Sequence, residues 1–169
     1  MMPQRRGAAS PGRLFPAGAK LRRMDHTPPS DIPPGFVPAT HGGPYATTLG
    51  PFWSHRAADH TALAIRIEHR HINSMGAAHG GMVATLADLG LVHAVSVARE
   101  KAGLERARLA TVSMTVDYLG PPMEGCWLEM RAKVTRMGRN LCFTEGGMYA
   151  DGKHVARANA VFAMQAPRG

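Results

Sequence analysis

From Gly81 to Ala98 the chain carries no proline, lysine or arginine, and Asp88 is its only acid. Apolar side chains fall on nearly every face of this run, so the spacing predicts a helix wrapped by other structure rather than half-exposed. A lone carboxylate in such a segment needs a partner or a task. His79-Gly80-Gly81 stands at the start of the run, where backbone N–H groups lack intrahelical acceptors and the helix dipole is positive. Glycine there lets a ligand approach the backbone closely. Asp88 lies eight residues past Gly80, about 12 Å along a helix. One helix therefore cannot bring its own start and its own Asp88 to the same atom. Two antiparallel copies related by a dyad can, which predicts a homodimer with composite sites.

At 169 residues the chain suits one domain with a sizeable core. The net charge of +8 is unevenly placed. Six of the 20 basic residues (Arg5, Arg6, Arg13, Lys20, Arg22, Arg23) precede the first acid, Asp25; without them 14 bases face 12 acids, a net of +2. No basic stripe interleaved with aromatics follows, so nucleic acid is not an expected partner. Cys126 and Cys142 have neither metal-ligand nor redox spacing and read as reduced thiols of a cytoplasmic protein. Asp88 and His93 interrupt the central apolar run, so no membrane span is expected.

Residues 1–35, rich in Pro, Gly, Ala and Arg, are expected to be a disordered extension, with residues 36–169 as the folded domain. The Arg-rich start has some features of a transit peptide but is broken by Pro3, Pro11 and Pro16; Met24 is an alternative start. Phe36 to Thr48 reads as a loop with one helical turn, and Pro51 to Arg56 as a short strand. Thr61 to His69 alternates polar and apolar and reads as a strand. The central helix should end near Gly103, with Arg99 and Lys101 in its last turns. Leu109 to Leu119, Cys126 to Met137, Asn140 to Ala150 and His154 to Gln165 are four further strands. Gly138-Arg139 turns one pair, and Asp151-Gly152 makes a tight hairpin. The fold class is α+β: one long central helix inside a curved antiparallel sheet of about five to six strands.

The segment before the helix carries a denser pattern. His71, Asn73, Gly76, His79, Gly80, Gly81, Leu86 and Asp88 satisfy H-x-N-x-x-G-x-x-H-G-G-x-x-x-x-L-x-D. In this the chain resembles the hotdog-fold thioesterases of the PaaI-like (phenylacetate-pathway and THEM-like) group, over roughly Gly50 to Met164. The resemblance implies hydrolysis of an acyl-CoA, medium-chain or aryl, by a homodimer or homotetramer. It implies that the Gly80 N–H polarises the thioester carbonyl and that Asp88 is the nucleophile or the general base. Asn73 would help hold water or the carboxylate. A Ser or Thr on the strand after the helix would support the acid, and alignment through Tyr118 and Pro121 places that role on Thr111. His79 and Gly81 would border the substrate, with Arg139 and Asn140 of the Gly-Arg-Asn turn near the CoA phosphates. Many members carry Arg before the proline that ends this strand; here it is Gly120, so that contact is missing.

The chemistry agrees with this pattern. Attack on a thioester builds oxyanion charge that fixed N–H donors stabilise, and thiolate leaves readily, so no metal or other cofactor is required. His69 and His71 would share a strand face, as metal pairs often do, but no carboxylate stands at a ligand spacing. His79 is expected to orient the loop by hydrogen bonding. Taken singly, Asn73 is a turn former, Thr111 a strand threonine and Arg139 a solvated turn residue. The rival readings are a hotdog module that binds acyl-CoA without turning it over, and a hotdog enoyl-CoA hydratase. The hydratase loop carries an acid and a proline that this one lacks.

Overall fold

The computed structural model describes residues 32–40 and 42–165. The expected disordered extension falls, apart from its last four residues, outside them. Seven strands and two α-helices follow in the order β1 (Val37–Ala39), α1 (Gly43–Leu49), β2 (Phe52–Arg56), β3 (Thr61–Arg66), α2 (Gly80–Lys101), β4 (Arg108–Tyr118), β5 (Trp127–Met137), β6 (Leu141–Ala150) and β7 (Lys153–Gln165). A 3₁₀ turn, His69–His71, follows β3. The strands form one antiparallel sheet in the order β1-β2-β3-β5-β6-β7-β4. This is the hotdog arrangement the resemblance implied, with seven strands where five to six were expected.

The differences have local causes. Val37–Ala39 is too short to show a period of two, yet it pairs with β2 through Pro38 opposite Trp53. Gly43–Leu49 forms two turns of helix rather than one, with a proline in its first turn, where a missing N–H costs nothing. The β3 strand stops at Arg66, three residues early, and the 3₁₀ turn separates the histidines. His69 is exposed whereas His71 is buried, so they share no face. Its neighbours fix the tautomer of His71: Nδ1 accepts from the Glu68 N–H (3.0 Å) and Nε2–H donates to the Leu49 carbonyl (2.9 Å).

The inner face of the sheet closes on α2. Leu63, Ile65, Leu128, Met130, Met148 and Phe162 meet Val83, Leu86, Leu91 and Val95 in one core. Glycine at position 90 sets the depth of that contact: a Cβ there would lie 2.6 Å from Met130 Cγ. By length and hydropathy α2 qualifies as a membrane span, contrary to the expectation drawn from Asp88 and His93. Its apolar faces are instead met by the sheet, with ten of its residues buried. A second, smaller cluster joins Trp53, Ala64 and Trp127, with Ile32 and Phe36 packed on it. Phe36 sits edge-on to Trp127 at 5.2 Å. The packed chain thus reaches back at least to Ile32. The Asp151-Gly152 hairpin forms as expected, with φ of 45° and 83°.

One stripe of α2 is only partly covered by the sheet. Gly81, Thr85, Asp88, Val92, Ser96 and Arg99 recur three or four residues apart, and none is buried. Opposite them β4, eleven residues long, has β7 on one side and, among the described residues, no strand on the other.

Candidate active site

Asp88 projects from the middle of that stripe and is half-buried. The Thr111 hydroxyl, on β4, donates to Asp88 Oδ1 at 2.8 Å. Thr111 adjoins the irregularity between Thr111 and Ser113 in the β4–β7 register. A charge-assisted O–H···O⁻ bond of this kind orients the carboxylate and leaves its second oxygen for other work.

Gly80 is the first residue of α2, with His79 as N-cap. The His79 Nδ1 accepts from the Gly81 N–H at 3.0 Å. The Gly80 carbonyl accepts from the Tyr118 hydroxyl at 3.0 Å. The peptide unit between Gly80 and Gly81 is therefore held from both ends, its oxygen by β4 and its nitrogen by the histidine ring. Gly81 borders a cavity, but its N–H is already spent on His79 and is not open to a substrate. The next two N–H groups, of Met82 and Val83, bond the His79 carbonyl (2.8 and 3.1 Å). The Gly80 N–H makes no hydrogen bond among the described residues. It is the one donor at this helix start that remains open to a carbonyl oxygen.

Asn73 behaves first as a loop former. Its Oδ1 accepts from the N–H groups of Met75 (2.8 Å) and Ala77 (3.4 Å), and its own N–H bonds the Ala77 carbonyl (2.8 Å). Only its amide NH₂ is left to meet water or a carboxylate. The same loop is tied to the helix start by the bond from the His79 N–H to the His71 carbonyl (2.8 Å). The expected residues thus form two groups. Asn73, His79, Gly80 and Gly81 stand at one end; Asp88 and Thr111 stand about 12 Å further along the helix.

Arg139 lies on neither. It lines a cavity of about 230 Å³ with Arg99, Arg106 and Glu105, at the far end of α2. Arg99 is engaged there by the Glu105 carbonyl (3.0 and 2.7 Å) and the Met164 sulfur (3.8 Å), so Arg106 and Arg139 are the cations left to the cavity. Glu100, the next acid along, is engaged by Arg56 in a two-pronged ion pair (2.7 and 2.9 Å), which holds its carboxyl below the usual range. Asn140 does not line this cavity; its carbonyl accepts from the Met164 N–H (2.8 Å). Gly120 N–H bonds the Val155 carbonyl (3.0 Å), a backbone role in place of the family's arginine. Sequence reasoning missed Tyr118, Arg99 and Arg106. Tyr118 entered only as an anchor for aligning the strand, and the two arginines come together through the loop after α2. No cluster of three His, Cys, Asp or Glu side chains suited to a metal occurs among the described residues.

A long helix enclosed by a curved antiparallel sheet is the hotdog fold, and on it the Asp88 carboxylate is oriented and the Gly80 amide is open. The chain belongs to the thioesterase superfamily, whose model matches residues 75–156, and its chemistry is thioester hydrolysis. It is 34% identical to a Pseudomonas aeruginosa protein provisionally named an esterase, over 78% of this chain and 96% of that one. It is 27% identical to acyl-coenzyme A thioesterase 13 of Mus musculus, over 54% of this chain and 67% of that one. Among solved structures, zebra fish thioesterase superfamily member 2 superposes with a TM-score of 0.62 at 25% identity, covering 74% and 88% of the two chains. The Escherichia coli PaaI protein of the phenylacetic acid degradation operon superposes at 0.63 with 16% identity, covering 73% and 86%.

Proposed function

We propose that the protein hydrolyses a medium-chain or aryl acyl-CoA to the free acid and CoA, as a homodimer or a pair of homodimers with sites shared between protomers. The observation that carries this reading is the Asp88 carboxylate, steered by Thr111 on the open face of α2, eight residues from an amide that nothing else occupies. In an antiparallel pair each Gly80 N–H approaches the partner's carboxylate. The thioester carbonyl then lies against the amide while Asp88 faces its carbon. Asp88 attacks the carbonyl carbon directly, giving a mixed anhydride that water then hydrolyses to the free acid, or it takes a proton from a water that attacks the carbon; in either route the thiolate departs and the amide holds the transient oxyanion. Acyl-CoA thioesterase 13 supports CoA as the carrier. So does the arginine cluster, which begins about 16 Å past Asp88 on the same helix; with Arg99 held by the Glu105 carbonyl and Met164, it offers Arg106 and Arg139 to phosphates. We place the protein in the cytoplasm, where Cys126 and Cys142 stay reduced; both are free and buried.

Thiol release from a panel of acyl-CoAs tests the reading. Asp88→Asn should lower kcat by about 100-fold or more, the span of a lost general base. Gly80→Pro removes the open N–H and puts a ring carbon in its place, at a helix position that accepts proline, and should cost about 100-fold or more in kcat as well. Full turnover by Asp88→Asn, with fold and assembly intact, would end the proposal. Binding of acyl-CoA without thiol release from the native chain would make it a carrier instead. In single turnover in ¹⁸O-water, label retained in Asp88 would mark direct attack.

A further inference from the structure

A cavity of about 330 Å³ lies beside the start of α2; Tyr45, Leu49, Ile72 and Met82 line it together with Arg70, His71, His79 and Gly81. The polar groups among these are already committed: the His79 Nδ1 accepts from the Gly81 N–H. The Arg70 guanidinium donates to the carbonyls of Thr48 and Gly50 and to Glu68. His71 donates to the Leu49 carbonyl. Thr85 donates to the Gly81 carbonyl (2.9 Å), so the Tyr45 hydroxyl is the donor in its 3.2 Å bond to Thr85. That bond fastens α1 over the cavity as a roof.

We propose that this cavity receives the acyl group, and that Tyr45, Leu49, Ile72 and Met82 set which acyl groups are hydrolysed. The assignment rests on the acyl-CoA reading above and follows from charge. An acyl-CoA held by its carbonyl at Gly80 has two arms with opposite needs: one ends in phosphates, the other is apolar. Of the cavities near α2, the one at its far end presents Arg106 and Arg139, with Arg99 held by the Glu105 carbonyl and Met164. In the one beside Gly81 the charge of Arg70 is met by Glu68 and two carbonyls, and what remains are two aliphatic side chains, a methionine and a tyrosine ring. The phosphates therefore run toward the arginines of the protomer that supplies Asp88. The acyl group turns under α1 of the protomer that supplies Gly80. A cavity of about 150 Å³ already holds a benzene ring, so this space admits an arylacetyl or medium alkyl group and is overrun by a long saturated chain.

The test compares kcat/KM for acetyl-, octanoyl-, phenylacetyl- and palmitoyl-CoA in the full chain and its variants. The native protein should favour octanoyl- and phenylacetyl-CoA over palmitoyl-CoA by about tenfold or more. Leu49→Ala and Tyr45→Ala should each raise the palmitoyl-to-octanoyl ratio by about tenfold, and Leu49→Phe should lower the octanoyl-to-acetyl ratio. Arg106→Ala should raise KM for every acyl-CoA by a common factor, and leave KM unchanged for N-acetylcysteamine thioesters, which carry no phosphate. The assignment is overturned if folded Leu49 and Tyr45 variants keep the native ratios. It is equally overturned if the ratios move instead with Leu109→Ala, in the other large cavity along α2, of about 410 Å³. Native protein that releases no thiol from any of these substrates overturns the functional reading itself. Thiol release with unaltered ratios overturns only the acyl pocket.

Discussion

The bond from Thr111 to Asp88 is the shortest link between the sheet and the chemistry. A hydrogen bond to a charged group contributes about 1.5–3 kcal/mol. Lost only from the reacting state, that is roughly a 10- to 100-fold fall in kcat. Thr111→Val should show it with KM changed by less than about threefold, and Thr111→Ser should restore most of the rate; steady-state kinetics on one acyl-CoA decides. Asp88 was legible in the sequence because a lone acid in an apolar helix demands a partner; Thr111 was legible only through the family resemblance, since the strand also offers Ser113 and Thr115. Tyr118 was not, because what it holds is a carbonyl, and no side-chain pattern announces that. The cysteines supply a second test. Burial pushes the Cys126 thiol up to about 11 and raises Cys142 as well. At about pH 8 both should react slowly with a disulfide reagent in the folded chain and at once when unfolded. The sign for stability follows from the raised value. The neutral thiol's contribution is fully present below the unfolded thiol's range, near pH 8.5, and is lost as pH rises through about 11. Urea midpoints should fall over that interval, and less steeply in Cys126→Ala.

Among the elements, α2 depends on its first residues more than on its length. His79 satisfies the Gly81 N–H through its side chain. Truncating an N-cap side chain costs about 0.5–2 kcal/mol, so His79→Ala should lower the urea midpoint by a corresponding amount, with the slope unchanged. Asparagine at the same position should recover most of the loss. The long elements were readable because their patterns repeat: α2 and strands β4 to β7 fall within two residues of the expected bounds. What escaped was short or set by tertiary contact. The β1 strand has three residues and exists because β2 stands beside it. The 3₁₀ turn at His69–His71 replaces the end of a strand because His71 is drawn inward to Leu49. Ile32 and Phe36 fold back because two tryptophans on the outer face need a cover.

At the scale of the whole molecule, the proposed active site has no complete copy within one chain. Mixing tests this directly. Asp88→Asn and Gly80→Pro homodimers should each be nearly inactive. Random exchange between them should recover about one quarter of native activity, since half of the dimers are mixed and one of their two sites is whole. No recovery in verified mixed dimers would place both groups in a single chain. The β4 strand gives this dependence a mechanical side. It clasps Asp88 near one end through Thr111 and Gly80 at the other through Tyr118, and its outer edge, among the described residues, is the one bare of a neighbour. A second copy docking along that border would brace the base and the oxyanion donor in a single event. Dilution that frees the strand would slacken both together, so catalysis should fade with dissociation well before the fold itself gives way.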